Sequence, residues 1–206
     1  MGEVDEEGEL SPAESLALIE GQRAELRRRR GVRPELILLA WGLAYLLGFG
    51  GFYLALQGVV PEVLAALVLG ALGAVALVLP IVEGVRAARG VRGPSRTIGV
   101  MYGSAWGLAF CANAIVQSSL QRQLAASPEI VSLMWSSSSL AVAGLMYLAG
   151  AMLWRDVPQY LLGAWMLVSA ALSVLAGVPG NFLVLAFAGG GGMLALSAYY
   201  VIRGRR

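Results

Sequence analysis

The side chains able to do chemistry inside the apolar stretches of this chain are few, and all are neutral. Asn113 and Gln117 sit in one apolar stretch, with Ser136, Ser137, Ser138 and Ser139 in the next. Amides and hydroxyls donate and accept hydrogen bonds, so they suit binding; catalysis would also need a base, a nucleophile or a metal. The chain has no histidine and one cysteine, and no Asp, Glu or Arg lies deep in an apolar stretch. Without histidine the commonest general base and metal ligand is missing, and a lone cysteine forms no multi-cysteine metal site. Proton-coupled carriers and voltage sensors place ionisable groups at depth, and here Glu35, Glu62, Glu83, Arg155 and Asp156 all fall at the ends of the stretches. The chemistry excludes an enzyme and implies no cofactor and no metal.

Two readings of Asn113 and Gln117 stay open. Lipid cannot satisfy a side-chain amide, so both residues face protein or a water-filled cavity. In the first reading they form interhelical hydrogen bonds, each stabilising a helix contact by about 0.6–2 kcal/mol. In the second they join Ser136, Ser137, Ser138 and Ser139, with Ser132 nearby, in an outward-facing polar pocket. Asn113 and Ser138 each lie about eight residues from the turn at 121–130, hence at a matched depth of about 12 Å. The serines can instead return their hydroxyls to their own helix backbone.

The elements that carry these residues are membrane spans. Of the 206 residues, 58% are hydrophobic and 14% charged, against about 25% charged in soluble domains. The apolar residues form blocks of about 20, enough to cross a hydrocarbon core of roughly 30 Å. We expect an all-α, polytopic bundle of six transmembrane helices, at 36–56, 63–82, 98–120, 131–154, 160–178 and 182–202. Pro34, Pro61, Pro128, Pro158 and Pro179 sit at or beside span ends, where a missing N–H is tolerated; Pro80 lies inside the second span, as a candidate kink.

Residues 1–33 form a separate region, followed by the transmembrane domain at 34–206. Eight of the 13 acidic residues lie in the first 25 positions, and Arg27, Arg28, Arg29, Arg30 and Arg33 follow. Ser11, Pro12 and Glu14 have the spacing of a capping box with proline at the first helical position. The helix they start is expected to run to about residue 30, weakened by about 1 kcal/mol at Gly21. Leu16, Ile19 and Leu26 give it a narrow apolar face, for the membrane surface, another helix or a soluble partner.

All 15 basic residues are arginine, a composition suited to a GC-rich bacterial genome. With the N-terminus inside, fourteen arginines fall on inside segments and Arg122 alone outside, which by the positive-inside rule makes both termini cytoplasmic. The expected location is the bacterial inner or plasma membrane, crossed several times. The lipid bilayer is the first partner, and inside arginines could meet anionic headgroups at about 1 kcal/mol each, although topology alone accounts for them. A cytoplasmic protein partner or a homo-oligomer fits the chain; nucleic acid does not. Glu83 and Arg86, three apart, read as a solvated surface pair of little energetic value.

Small residues suggest how the bundle packs. Gly99, Gly103, Gly107 and Cys111 recur every four positions in the third span, lining a groove in which a neighbouring helix could sit. This span is expected at the centre of the bundle. Gly189, Gly190, Gly191 and Gly192 in the sixth span either seat a neighbour or form a hinge that exposes backbone to a ligand. Trp41-Gly42-Leu43-Ala44-Tyr45 and Tyr102-Gly103-Ser104-Ala105-Trp106 share an aromatic-Gly-x-Ala-aromatic pattern, with a shorter echo at Leu162-Gly163-Ala164-Trp165. Three two-helix hairpin repeats would produce that pattern, and so would coincidence in a Gly/Ala-rich chain.

Trp41-Gly42 followed by Gly48-Phe49-Gly50, Met101-Tyr102-Gly103 with Trp106, and the run from Gly189 to Met193 resemble a group of uncharacterised actinobacterial six-span integral membrane proteins. The resemblance covers most of the chain. Proteins of that group are loosely labelled as transporters, and the resemblance supplies no functional residues. The reading is a non-enzymatic, small permease-like bundle or a membrane subunit of a transport assembly. The alternative is a regulatory or scaffolding protein that recruits a cytoplasmic partner through residues 1–33.

Overall fold

A computed structural model describes residues 11–18, 21, 32–89 and 93–204. The chain divides into two compact units, Met1–Val32 and Arg33–Arg206. In the first, residues 12–18 are helical. The Ser11 N–H donates to Glu14 Oε2 at 2.9 Å, its hydroxyl donates to the same oxygen at 2.8 Å, and the Glu14 N–H donates back to Ser11 Oγ at 3.3 Å. This is the reciprocal capping box. Ser11's two donors hold the Glu14 carboxyl below the usual glutamate range. Ile19 and Leu26 of the apolar face, and most of the arginine run, lie outside the described residues.

The second unit is all-helical among its described residues. Its elements are α1 (Pro34–Leu56), α2 (Glu62–Ala88), α3 (Pro94–Gln123), α4 (Pro128–Trp154), α5 (Val157–Leu183), a π-helical turn (Val184–Gly190) and α6 (Gly191–Gly204). Proline occupies the first turn of α1, α3, α4 and α5, where its missing N–H has no intrahelical partner to lose. α2 runs on through Pro80 without ending there.

Among the described residues five helices are long and apolar enough to cross a membrane, the fifth being the 48-residue stretch Val157–Gly204. That stretch doubles back on itself. A straight helix would hold Trp165 and Ala188 about 35 Å apart, yet Trp165 Nε1–H donates to the Ala188 carbonyl at 2.8 Å. The reversal lies at Gly177 (φ 64°, ψ 179°) and Val178 (φ −85°, ψ 133°). The Gly177 conformation is one that a Cβ resists, and Pro179 follows as a restart of the helix. Residues 179–204 therefore form a returning arm. The regular helix expected over 182–202 is interrupted by the π-helical turn, which overlaps the first two of the four glycines.

Helices alternate in direction, so each end of the bundle collects alternate termini. At one end Ser197 Oγ donates to the Glu35 carbonyl at 2.7 Å, and the Tyr200 hydroxyl donates to Asp156 Oδ2 at 2.7 Å. Among the described arginines, Arg33, Arg86, Arg89, Arg96, Arg155 and Arg203 belong to this end and Arg122 to the other. The core lies between α1, α4, α5 and the returning arm, where Leu140, Met166 and Leu185 are fully buried.

Outside that core the surface is apolar. Leu67, Leu108 and Leu175 are 64%, 71% and 81% exposed, with many other Leu, Val and Ile side chains. So much exposed hydrocarbon is unfavourable in water and suits lipid. The chain is an integral membrane protein.

Close packing concentrates where glycines meet backbone. A Cβ on Gly190 would stand 2.9 Å from both the Gly42 carbonyl oxygen and the Leu46 nitrogen; one on Gly163 would meet the Leu148 nitrogen at 2.8 Å and the Gly144 oxygen at 2.9 Å. Gly189 lies against Tyr45 and Gly192 against Trp165, whereas Gly191 has open space.

The third span is a correction. A Cβ on Gly99, Gly103 or Gly107 would meet nothing within 4 Å, and Cys111 is exposed. Among the described residues of this unit no helix fills that row, and α3 sits at the margin of the bundle, not its centre. The reason is rotational. Steps of four residues turn about 40° beyond a full revolution, so the row from Gly99 to Cys111 drifts roughly 120° around the helix. Tyr102, Trp106, Asn113 and Gln117, spaced 4, 7 and 4, stay within about 60°. That narrower stripe is the face that packs.

Candidate functional site

α3 meets α4 through aromatic rings and four side-chain hydrogen bonds. Trp106 packs edge-on to Tyr147 with ring centres 5.6 Å apart, and the Tyr102 hydroxyl donates to the Met146 carbonyl at 2.8 Å. Farther along, Asn113 Nδ2 donates to Ser139 Oγ at 3.5 Å, and Gln117 Nε2 to the Met134 carbonyl at 3.1 Å. Gln121 Oε1 then accepts from Trp135 Nε1 at 3.3 Å. Asn113, Gln117 and Gln121 are successive turns of one helical face, so they form a ladder joining α3 to α4. Gln117 is buried. Both amides hold helices together, as in the first of the two readings.

The serine run divides by helical phase. Ser137 and Ser138 donate to the carbonyls of Leu133 and Trp135 on their own helix. Ser136 also donates to the Leu133 carbonyl, at 3.4 Å. Ser132, Ser136 and Ser139, spaced 4 and 3, share one face and line a recess of about 310 Å³. Asn113 and Gln117 do not line it; Asn113 reaches it only through its bond to Ser139.

The opposite wall is aromatic. Tyr45, Phe49 and Phe52, again spaced 4 and 3, come from α1, and Phe182 comes from the returning arm; Trp135 completes the lining. Phe182 stacks near-parallel on Phe52 and Phe49, with centres 5.7 and 6.2 Å apart. Tyr45 meets Phe49 edge-on at 5.0 Å. Towards the middle of the bundle Tyr45 and Leu140 approach Gly189, and Leu140, Met166 and Leu185 fill the space beyond. The recess thus lies at the end of the bundle away from the arginine-bearing termini. A pocket with hydroxyls on one wall and rings on the other can hold a small molecule that has a polar edge and an apolar body.

The expected pocket of serines with Asn113 and Gln117 is thus replaced by serines facing an aromatic wall that the sequence does not announce. The 45/49/52 spacing on α1 was the available signal, since it marks a helix face. Glu83, expected in a solvated surface pair, is the second correction. Glu83 is 1% exposed. Its carboxylate accepts from Arg33 Nη2 and Arg86 Nη2 at 2.7 Å each, and from the Arg33 backbone N–H at 3.3 Å. The clamp ties the start of α1 to the end of α2. An i, i+3 Glu–Arg pair is ordinarily a surface feature; here Arg33, fifty positions away, closes over it, and no local pattern shows that.

The Glu83 clamp and the Asp156–Tyr200 bond lie at the other end of the bundle from the recess, while Glu62, Arg122 and Glu129 stand at the recess end without lining it. Among the described residues no group of three or more His, Cys, Asp or Glu side chains could hold a metal ion. No protein-family model, curated protein or solved structure matches this chain.

Proposed function

We propose that this chain is a small, non-enzymatic permease-like bundle of six crossings, or the membrane subunit of a transport assembly. In this reading both termini are cytoplasmic and the recess between α1, α4 and the returning arm is an outward-facing solute site. The observation that carries it is the pairing of Ser132, Ser136 and Ser139 with an aromatic wall around a volume of about 310 Å³. Support for the crossings comes from the reversal at Gly177, which turns the 48-residue stretch into two antiparallel arms. Support for the orientation comes from the gathering of described arginines at the end away from the recess, in keeping with the positive-inside rule. In this reading the apolar centre that fills the space beneath the recess has to open, the returning arm moving against α1, before a solute can pass.

Single-cysteine chains test this in intact cells. In a Cys111→Ala background, Ser136→Cys and Ser139→Cys should react with a membrane-impermeant maleimide added outside, and Ser137→Cys should react much more slowly. Silence at both recess positions, or labelling only after the cells are opened, would overturn the outward-facing site.

A further inference from the structure

Asn181 has no place in the reading so far, and its chemistry is unusual for its position. The side chain is fully buried, and neither Nδ2 nor Oδ1 has a hydrogen-bond partner among the described residues. A carboxamide brings two donor hydrogens and an acceptor oxygen, and nearly all buried groups of this kind are satisfied. Leaving them unmade opposes folding, whereas leucine, of similar shape, would carry no such cost. A residue kept at the expense of stability is a candidate for function.

Its surroundings connect it to the recess. Asn181 stands in the first turn after the reversal at Gly177 and Val178. The next residue, Phe182, forms part of the recess wall and stacks on Phe52 and Phe49. One turn further, Leu185 is fully buried in the core. Asn181 is therefore held on the same short helical turn as Phe182 of the wall, outside the recess lining itself, with both halves of its amide unused among the described residues.

We infer that Asn181 is the polar anchor of the recess, binding the uncharged hydrogen-bonding head of a solute, a carboxamide or hydroxyl, when the Phe182 ring turns aside. The inference rests on the recess being a solute site. The solute's apolar body then lies on Tyr45, Phe49 and Phe52, and its remaining polar edge meets the serine face of α4. An ionised solute is disfavoured, because the recess lining holds no carboxylate or guanidinium to pair with a desolvated charge.

Two thiol reagents of similar reach separate the outcomes on the purified full chain in nanodiscs, again with Cys111→Ala. The probes are neutral methyl methanethiosulfonate and anionic sulfonatoethyl methanethiosulfonate. Ser136→Cys should react with both. Asn181→Cys should react at least tenfold faster with the neutral reagent than with the anionic one, after correction for their intrinsic rates, and Phe182→Ala should accelerate that reaction severalfold. If Ser136→Cys reacts while Asn181→Cys is inert in both Phe182 backgrounds, Asn181 does not serve the recess and the inference fails alone. If Ser136→Cys is itself inert, the solute-site reading fails with it. Equal rates for the two reagents at Asn181→Cys would overturn the preference for an uncharged head. Asn181→Leu supplies a readout independent of labelling. Its thermal midpoint should rise, whereas a fall would show that the amide is a structural partner and would overturn its role as anchor.

Discussion

Glu83→Ala tests how the first helical hairpin is locked. The substitution removes a carboxylate that is 1% exposed and accepts from two guanidinium groups at 2.7 Å and from the Arg33 backbone N–H. Hydrogen bonds to charged groups contribute about 1.5–3 kcal/mol each, and breaking a fully buried ion pair costs about 3–5 kcal/mol. The partners here are half-exposed, with side-chain accessibilities of 50% for Arg33 and 38% for Arg86. Both can rehydrate when the carboxylate goes, which returns part of the loss, so a net cost of about 2–4 kcal/mol follows. For a chain of this size that lowers the thermal midpoint by about 4–16 °C. Glu83→Gln keeps the shape and one acceptor oxygen and should lose about half as much. The assay is denaturant unfolding of the detergent-solubilised chain, run as a double-mutant cycle with Arg33→Ala. The expected coupling is about 1–3 kcal/mol, within the range found for residues in direct contact. If Arg33→Ala costs as much in the Glu83→Ala chain as in the native one, the clamp does not join α1 to α2 and the reasoning fails.

Glycine substitutions should separate the two kinds of small-residue position. Gly190→Ala drives a methyl to 2.9 Å from backbone atoms of Gly42 and Leu46 and should destabilise by about 1–3 kcal/mol through overpacking. Gly103→Ala meets nothing within 4 Å and should be neutral or stabilising by up to about 1 kcal/mol; a loss as large as that of Gly190→Ala would show that its row is occupied. In the N-terminal unit, the Glu14 carboxyl is held below its ordinary value by Ser11 donors. A depressed folded-state value means that its contribution to the helix start is complete above the ordinary glutamate range and fades as pH falls through the depressed value. Carboxyl ¹³C shifts followed by NMR should show Glu14 titrating below the usual glutamate range in the native chain, and returning to it in Ser11→Ala. An unchanged titration would refute the capping box.

Much of the helical plan was legible because it depends on local quantities. Apolar blocks of about 20 residues and prolines at first turns specify where helices run, and α1 begins at Pro34 and α4 at Pro128 accordingly. The capping box at Ser11 was legible for the same reason, since its three hydrogen bonds span three positions. The site was legible only in part. Ser136 and Ser139 carry a polar signal in an apolar block, but their partners on the far wall are ordinary membrane aromatics, and proximity alone makes Phe49, Phe52 and Phe182 a wall. Asn181 fell in the turn between expected spans, where an asparagine is unremarkable. Its burial follows from the reversal at Gly177, which brings the first turn of the returning arm inside the bundle.

The three aromatic-glycine segments show why small residues in sequence do not by themselves locate a helix contact. Gly42 faces Gly190 across α1 and the returning arm, and Gly163 faces Gly144 across α5 and α4. In both contacts glycines oppose each other, so two backbones approach without a Cβ between them. Gly103 carries the same local motif on a helix whose packing stripe is set by Tyr102, Trp106, Asn113 and Gln117, and it faces away from α4. Side chains as large as Trp106 and Tyr147 hold α3 and α4 apart, so a glycine on this interface would gain little from lacking a Cβ. The contact rests instead on ring packing and on the amide ladder at Asn113, Gln117 and Gln121. Opposed glycines thus mark two close helix contacts of this bundle, whereas the glycine row of α3, without its opposite number among the described residues, stands at the margin.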